Sequence, residues 1–304
     1  MAPRSLLDVD DLTPEEIARV LDRAVGFREA LPSRDLLAGV PVLNLFFEAS
    51  TRTATSFTLA EQRVGADIIS FAPGASSLGK GETIADTALT LRGIGVRVIV
   101  VRHPESGFAR RLADAFDGHV INAGDGTHAH PTQALLDLMT LRQEFGRFEG
   151  LRVAIVGDIL HSRVARSNIV GMRALGIDVT LVGPPTLLPD AFAELGVRVE
   201  RDLDALLPQL DAVMMLRIQR ERISAGLLPA LEDYTQRFQL NRARLRQLPD
   251  DAVILHPGPY NRGVELTDDV LDDPRSRYVA QVHNGVFVRM AVLDLLVNGA
   301  AVPV

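Results

Sequence analysis

The 304-residue chain contains no cysteine and only one lysine, Lys80, among its 32 basic residues. Without cysteine there can be no disulfide framework, thiolate metal site or cysteine nucleophile. No uninterrupted apolar run approaches the roughly 20 residues that a membrane-spanning helix needs. The nearest, close to the C-terminus, is broken by Arg289 and Asp294. The start, Met1-Ala2-Pro3-Arg4, lacks the long apolar stretch of a secretory signal and soon turns acidic. A net charge of −7 gives no electrostatic reason to expect nucleic acid or an anionic membrane as partner. The expectation is a soluble, cytoplasmic protein. Its 47% hydrophobic and 23% charged residues are ordinary for a folded enzyme.

The arginine bias sharpens the interest of Lys80. Arginine serves at every other basic position, so this site calls for a compact, flexible ammonium of tunable pKa.

From Val40 onward, short β-branched runs alternate with amphipathic stretches, the pattern of parallel α/β folds. The spacing predicts strands over 40–47, 67–71, 96–101 and 119–122, with helices over 53–64, 83–92, 107–116 and 131–145. A second series follows: strands 151–156, 178–182, 197–200, 211–216 and 252–255, with helices over 164–175 and 286–297. Two such series predict two doubly wound parallel-sheet domains around a central cleft, joined near residues 135–150. Ligands in such sheets bind beyond the carboxyl ends of the strands.

The residues that follow the strands are polar and cationic. After the first come Ser50-Thr51-Arg52-Thr53, hydroxyls and an arginine where a helix begins. A helix N-terminus offers free N–H groups and partial positive charge, and Arg52 can add a bidentate pair, so the segment reads as a phosphate site. After the second, Gly74 to Lys80 fits the first seven positions of a P-loop, but Gly81 stands where Ser or Thr should hold Mg²⁺. With Ser76 and Ser77, this segment reads as a polar lid over an anion.

Arg102-His103-Pro104 follows the third strand, and the fourth leads to His128-Ala129-His130-Pro131-Thr132-Gln133. His128 and His130 could form a metal pair, but no second cluster of ligands accompanies them, so a neutral His130 polarising a carbonyl is the favoured reading. In the second half, Val156-Gly157-Asp158 lacks the G-x-G-x-x-G of a dinucleotide fold. Arg163 and Arg217, with Gln219 beside the latter, read as a pocket for carboxylates. His256-Pro257-Gly258-Pro259 follows the last strand, where proline can fix backbone carbonyls toward a ligand.

Taken in order, Ser50-Thr51-Arg52-Thr53, Ser77-Leu78-Gly79-Lys80-Gly81-Glu82-Thr83, Arg102-His103-Pro104, His130-Pro131-Thr132-Gln133, Arg217-Ile218-Gln219 and His256-Pro257-Gly258-Pro259 resemble the aspartate/ornithine carbamoyltransferase family over nearly the whole chain. The His-Pro-Gly-Pro loop, in place of the His-Cys-Leu-Pro of ornithine enzymes, points to the aspartate branch. The resemblance implies carbamoyl transfer from carbamoyl phosphate to L-aspartate in pyrimidine synthesis, without cofactor or metal. It implies a carbamoyl phosphate-binding domain over 1–134, an aspartate-binding domain over 135–284, and a C-terminal helix, 285–304, packed back on the first.

Of the residues, it implies that Ser50, Thr51, Arg52 and Thr53 bind phosphate, with Thr53, Arg102 and His130 around the carbonyl oxygen. Gln133 and the backbone at Gly258 and Pro259 hold the carbamoyl NH₂. Arg163, Arg217 and Gln219 take the aspartate carboxylates. Lys80 and Ser77, or Ser76 in place of Ser77, close on both substrates. The family's lid often carries two consecutive lysines; here only Lys80 is present. A homotrimer with shared active sites is implied, and a larger assembly with regulatory chains or dihydroorotase stays open. A P-loop nucleotide-binding protein and a non-catalytic amino-acid-binding module are the readings of other classes. The first predicts tight binding of ATP with Mg²⁺, and the second predicts affinity without turnover.

Overall fold

The computed structural model describes residues 5–70, 83–219 and 231–299. The chain divides into two compact units, Met1–Leu136 with Val282–Val304, and Asp137–Gln281.

In the first unit, α1 (Pro14–Glu29) opens with a capping box in which Thr13 and Glu16 satisfy each other's backbone N–H groups, and Pro14 supplies the first helical turn. Its residues Ile17, Val20, Leu21, Ala24 and Phe27 recur at helical spacing and are buried. Then follow β1 (Pro41–Phe46), α2 (Thr51–Val64), β2 (Asp67–Ser70), α3 (Ile84–Ile94), β3 (Val98–His103), α4 (Phe108–Ala115), β4 (His119–Asp125) and α5 (Pro131–Phe145). The strands pair in parallel in the order β2-β1-β3-β4. Leu43, Leu45, Ile99, Val101, Phe108, Leu112 and Val120 belong to one buried cluster on this sheet. The chain leaves β1 toward β2 and returns to β1's other side as β3, so the switch point lies between β1 and β3.

The second unit contains β5 (Arg152–Val156), α6 (Arg163–Ala174), β6 (Asp178–Val182), β7 (Arg198–Glu200), β8 (Ala212–Met215), α7 (Leu231–Phe238), α8 (Arg242–Leu245), β9 (Val253–Leu255) and α9 (Asp268–Leu271). Its parallel order is β7-β6-β5-β8-β9, which puts the switch point between β5 and β8. Two parallel α/β sheets are present, as the alternating pattern requires.

The last helix, α10 (Tyr278–Val297), is longer than the apolar spacing from Val286 indicated. Both unit boundaries fall inside helices, α5 and α10. By length and composition α10 passes for a membrane span, yet two-thirds of its most apolar stretch is buried in the protein. Its Arg289 and Asp294 are used within the first unit. Arg289 donates to Ser56 Oγ at 2.6 Å with its guanidinium 4.9 Å from the Phe57 ring, and Asp294 lies 2.7 Å from Arg23 Nε.

One acid in this unit is buried for reasons the sequence did not reveal. Glu61, on α2, is fully buried and accepts from Asn44 Nδ2 of β1 at 2.6 Å. Burial raises its pKa from 4.5 to about 7, against a smaller lowering by the Asn44 hydrogen bond. The folded state therefore binds a proton more tightly than the unfolded chain. Glu61's contribution is fully favourable below pH 4.5 and is lost as pH rises through 7. Glu61→Gln should be more stable than wild type by up to about 3 kcal/mol at pH 8 and no more stable near pH 4, measured by urea unfolding. A constant difference across that range would show that Glu61 does not titrate there.

Candidate active site

In the first unit, the helix begins two residues earlier than the sequence pattern predicts. α2 starts at Thr51, so Thr51, Arg52 and Thr53 form its first turn. The polar run masked this start, because the apolar spacing begins only later. Ser50 is the N-cap residue, but its side chain makes no capping hydrogen bond. The first-turn N–H groups have no acceptor inside the helix, and they face the same end as the positive pole of the dipole. Thr51 and Arg52 are exposed and Thr53 is buried. No ion pair engages Arg52 among the described residues.

Arg102 is not beyond the strand, as its polarity suggested, but inside β3. Backbone pairing with β1 continues there: Phe46 is in register with Arg102, and Phe47 N–H donates to the Arg102 carbonyl at 2.8 Å. The arginine therefore stands beside the turn that leads into α2, at the switch point. Its Nη1 donates to the Ala123 carbonyl at 3.1 Å, and its Nε lies 3.2 Å from Glu48 Oε2. Glu48 is a residue to which sequence reasoning assigned no role. Its signal was an acid between an apolar strand and a run of hydroxyls.

His103, next along, is structural. Its ring stacks on Phe108 at 3.7 Å between centroids and meets Phe47 edge-on at 5.0 Å, and burial lowers its pKa. His130 precedes α5 and is buried; its carbonyl accepts from the N–H groups of Gln133 and Ala134. Gln133 is buried in the first turn. His128, the other half of the candidate metal pair, is taken up by carboxylates instead: its Nδ1 lies 3.1 Å from Asp125 and its Nε2 3.7 Å from Asp8.

In the second unit, the ends of β5 and β8 meet. Asp158, fully buried, lies 2.8 Å from the His161 ring and accepts from the His161 N–H at 3.2 Å. Gln219 N–H donates to Asp158 at 3.4 Å, and Gln219 Nε2 donates to the His161 carbonyl at 3.0 Å. This fixes Gln219 against the turn that carries Arg163. Arg163 is the first residue of α6, mostly buried, behind an N-cap in which Ser162 Oγ accepts from Ala165 N–H at 3.1 Å. Arg217 follows β8 by two residues and is half-buried. Asp158 and His161 had no assigned role in the sequence.

Gly157 shows how tightly β5 turns here. Its φ is +129°, and a Cβ would lie 2.9 Å from the Leu216 carbonyl and 3.1 Å from the Tyr234 hydroxyl. Burial and the carboxylates of Glu265 and Asp158 push that phenol's pKa far upward. Gly157→Ala should destabilise the protein by roughly 1–3 kcal/mol through backbone strain and raise the KM for the ligand of Arg163 and Arg217. An alanine variant with wild-type unfolding midpoint and KM would show that the turn tolerates a side chain.

Beyond β9, Gly258–Pro259 is a cis peptide and Gly258 has φ +62°. Gly258 N–H donates to His256 Nδ1 at 2.9 Å, and buried Glu265 accepts from Asn261 N–H, so the loop's backbone is held from within. Ser76, Ser77 and Lys80 lie outside the described residues.

Each sheet thus carries, at its switch point, groups for anions: a helix turn with two cations on one, two arginines and an amide on the other. That defines a two-domain α/β protein for small, negatively charged substrates. Residues 4–143 match the "Aspartate/ornithine carbamoyltransferase, carbamoyl-P binding domain", and residues 149–296 the "Aspartate/ornithine carbamoyltransferase, Asp/Orn binding domain". The chain belongs to the aspartate/ornithine carbamoyltransferase family. It is 53% identical, over 97% of its length and 98% of the relative's, to the aspartate carbamoyltransferase catalytic subunit of Salinispora arenicola. It is 54% identical to that of Granulibacter bethesdensis, covering 96% and 94% of the two chains. Aspartate transcarbamoylase of Trypanosoma cruzi, solved with carbamoyl phosphate and aspartate, superimposes with a TM-score of 0.86 at 30% identity over 96% of each chain.

Proposed function

We infer that the protein transfers the carbamoyl group of carbamoyl phosphate to the amine of L-aspartate, giving N-carbamoyl-L-aspartate and phosphate in de novo pyrimidine synthesis. The observation that carries the reading is the uncapped first turn of α2 beside Arg102, in a chain 53% identical to an aspartate carbamoyltransferase.

Ser50, Thr51, Arg52 and Thr53 receive the phosphate. Thr53, Arg102 and His130 surround the carbonyl oxygen, while Gln133 and the backbone of Gly258 and Pro259 take the carbamoyl NH₂. Arg163, Arg217 and Gln219 take the two carboxylates of aspartate, and Lys80 and Ser77 close over both substrates. The neutral amine attacks the carbonyl carbon, forming the C–N bond as negative charge grows on the carbonyl oxygen. The C–O bond to phosphate then breaks, and the departing phosphate accepts the amine proton. Donors already fixed around that oxygen stabilise it without reorganising, typically by about 2.7–4 kcal/mol for one donor. Holding both substrates in line supplies a further large share.

The active form is a cytoplasmic homotrimer in which Lys80 and Ser77 serve a neighbouring chain's site. The family resemblance supports both the oligomer and the shared site. The test of the reaction is to supply carbamoyl phosphate with aspartate or with ornithine and measure the carbamoylated product. Carbamoyl-aspartate alone is the expected product; carbamoylation of ornithine but not aspartate would overturn the acceptor.

A further inference from the structure

We propose that Asp125 is a positioning residue that sets Arg102 and His130 together on one carbonyl oxygen. The inference rests on the carbamoyl-transfer reading of these two residues and extends it to a third, which does not itself touch substrate.

The two donors come from different places. Arg102 lies inside β3, whereas His130 stands five residues past the end of β4. The pairing between these strands is irregular just there: Val101 is in register with Asn122, but His103 with Asp125. β4 therefore carries one extra residue opposite Arg102, a bulge of the kind that re-aims side chains. Ala123, inside that bulge, supplies the carbonyl that accepts from Arg102 Nη1.

Asp125 closes the bulge. Its side chain is almost wholly buried, and three N–H donors converge on it from three directions. Asn122 Nδ2 donates to Oδ1 at 2.8 Å, while Asn122 Oδ1 accepts from Gly124 N–H at 2.8 Å, so the pair clamps the bulge itself. Gly107 N–H, which follows β3, donates to Oδ2 at 2.6 Å. Ala129 N–H, immediately before His130, donates to Oδ1 at 3.1 Å. The Asp125 N–H donates in return to the Ala129 carbonyl at 3.1 Å, which closes the loop that delivers His130. His128 Nδ1 lies 3.1 Å from the same carboxylate, and its Nε2 lies 3.7 Å from Asp8.

An ionised carboxylate only accepts, so it can serve all of these N–H groups at once. An amide in its place turns its own NH₂ toward at least one of them. The carboxylate thus ties the Arg102 bulge, the start of α4 and the His130 loop into one rigid piece. A displacement near 1 Å in such a constellation is enough to cost about 100-fold in rate.

The test compares Asp125→Asn and Asp125→Ala with wild type, in the full-length protein, by steady-state kinetics and by equilibrium binding of inorganic phosphate. Asp125→Asn, nearly isosteric, serves if the alanine variant fails to fold. The expected result for Asp125→Asn is a fall in kcat of about 100-fold. Phosphate affinity should stay within about threefold of wild type, since the residues assigned to phosphate are not among Asp125's partners. A kcat within threefold of wild type overturns the proposal. So does a loss of phosphate binding in proportion to kcat, which would mark Asp125 as a residue of general stability. Failure of the wild type to carbamoylate any amine would instead overturn the reading on which the proposal rests.

Discussion

Arg52→Ala should lower kcat/KM for carbamoyl phosphate by about 10²–10³-fold and leave no measurable phosphate binding, whereas Arg217→Ala should raise the KM for aspartate and spare phosphate. The asymmetry follows from position. Arg52 sits in the first turn of α2, where the backbone N–H groups and the helix dipole already favour an anion. A guanidinium there can add two parallel hydrogen bonds to phosphate oxygens, which the dipole alone cannot replace. Arg217 belongs to the other unit, just past β8 and beside Gln219, where a dicarboxylate is the ligand assigned. Equilibrium binding of phosphate to both variants, with initial rates over a range of aspartate concentrations, separates the two roles. Losses in the reverse order would mean that the substrates are assigned to the wrong units.

The second large effect is a recovery of activity from two inactive proteins. Lys80→Ala and Arg52→Ala chains should each be nearly inactive alone. Reassembled together, they should regain about one quarter of wild-type activity if each site takes Arg52 from one chain and Lys80 from the next around a cyclic trimer. Random mixing makes about three quarters of the trimers mixed, and head-to-tail symmetry gives each of those one intact site in three. Verified hybrids with no activity above their parents would place Lys80 in its own chain's site.

The parallel strands were the easiest part of the fold to read in the sequence. Val98 to Val101 and Val153 to Val156 are apolar on both faces because helices cover both sides of such sheets. Strand ends were harder. Arg102 and His103 break the apolar run, so polarity placed them in a loop, while the hydrogen bonds to β1 and β4 carry β3 through both. α1 lies before the alternation begins at Val40, although Thr13-Pro14-Glu15-Glu16 carries its capping signal.

In the candidate site, the residues assigned to substrates were visible as cations and hydroxyls in order along the chain. The acids that brace them were not. Buried Asp125, Asp158 and Glu265 and half-buried Glu48 look like ordinary surface carboxylates in one dimension. What distinguishes them is convergence of donors from segments distant in sequence, such as Asp158 and Gln219. Burial of that kind is a property of the tertiary structure.

The position of the unit boundaries inside α5 and α10 has a consequence for synthesis of the chain. Everything the second unit needs, Asp137 to Gln281, has been made before the first unit receives its final piece, the buried residues Val286 to Leu293 of α10. Domains usually mature in the order in which they leave the ribosome. Here the order reverses. The unit that carries α1 and α2 emerges first but must wait, those helices without their α10 partners, until α10 arrives. A released chain truncated just after Gln281 should therefore hold a protease-resistant second unit and a sensitive first one.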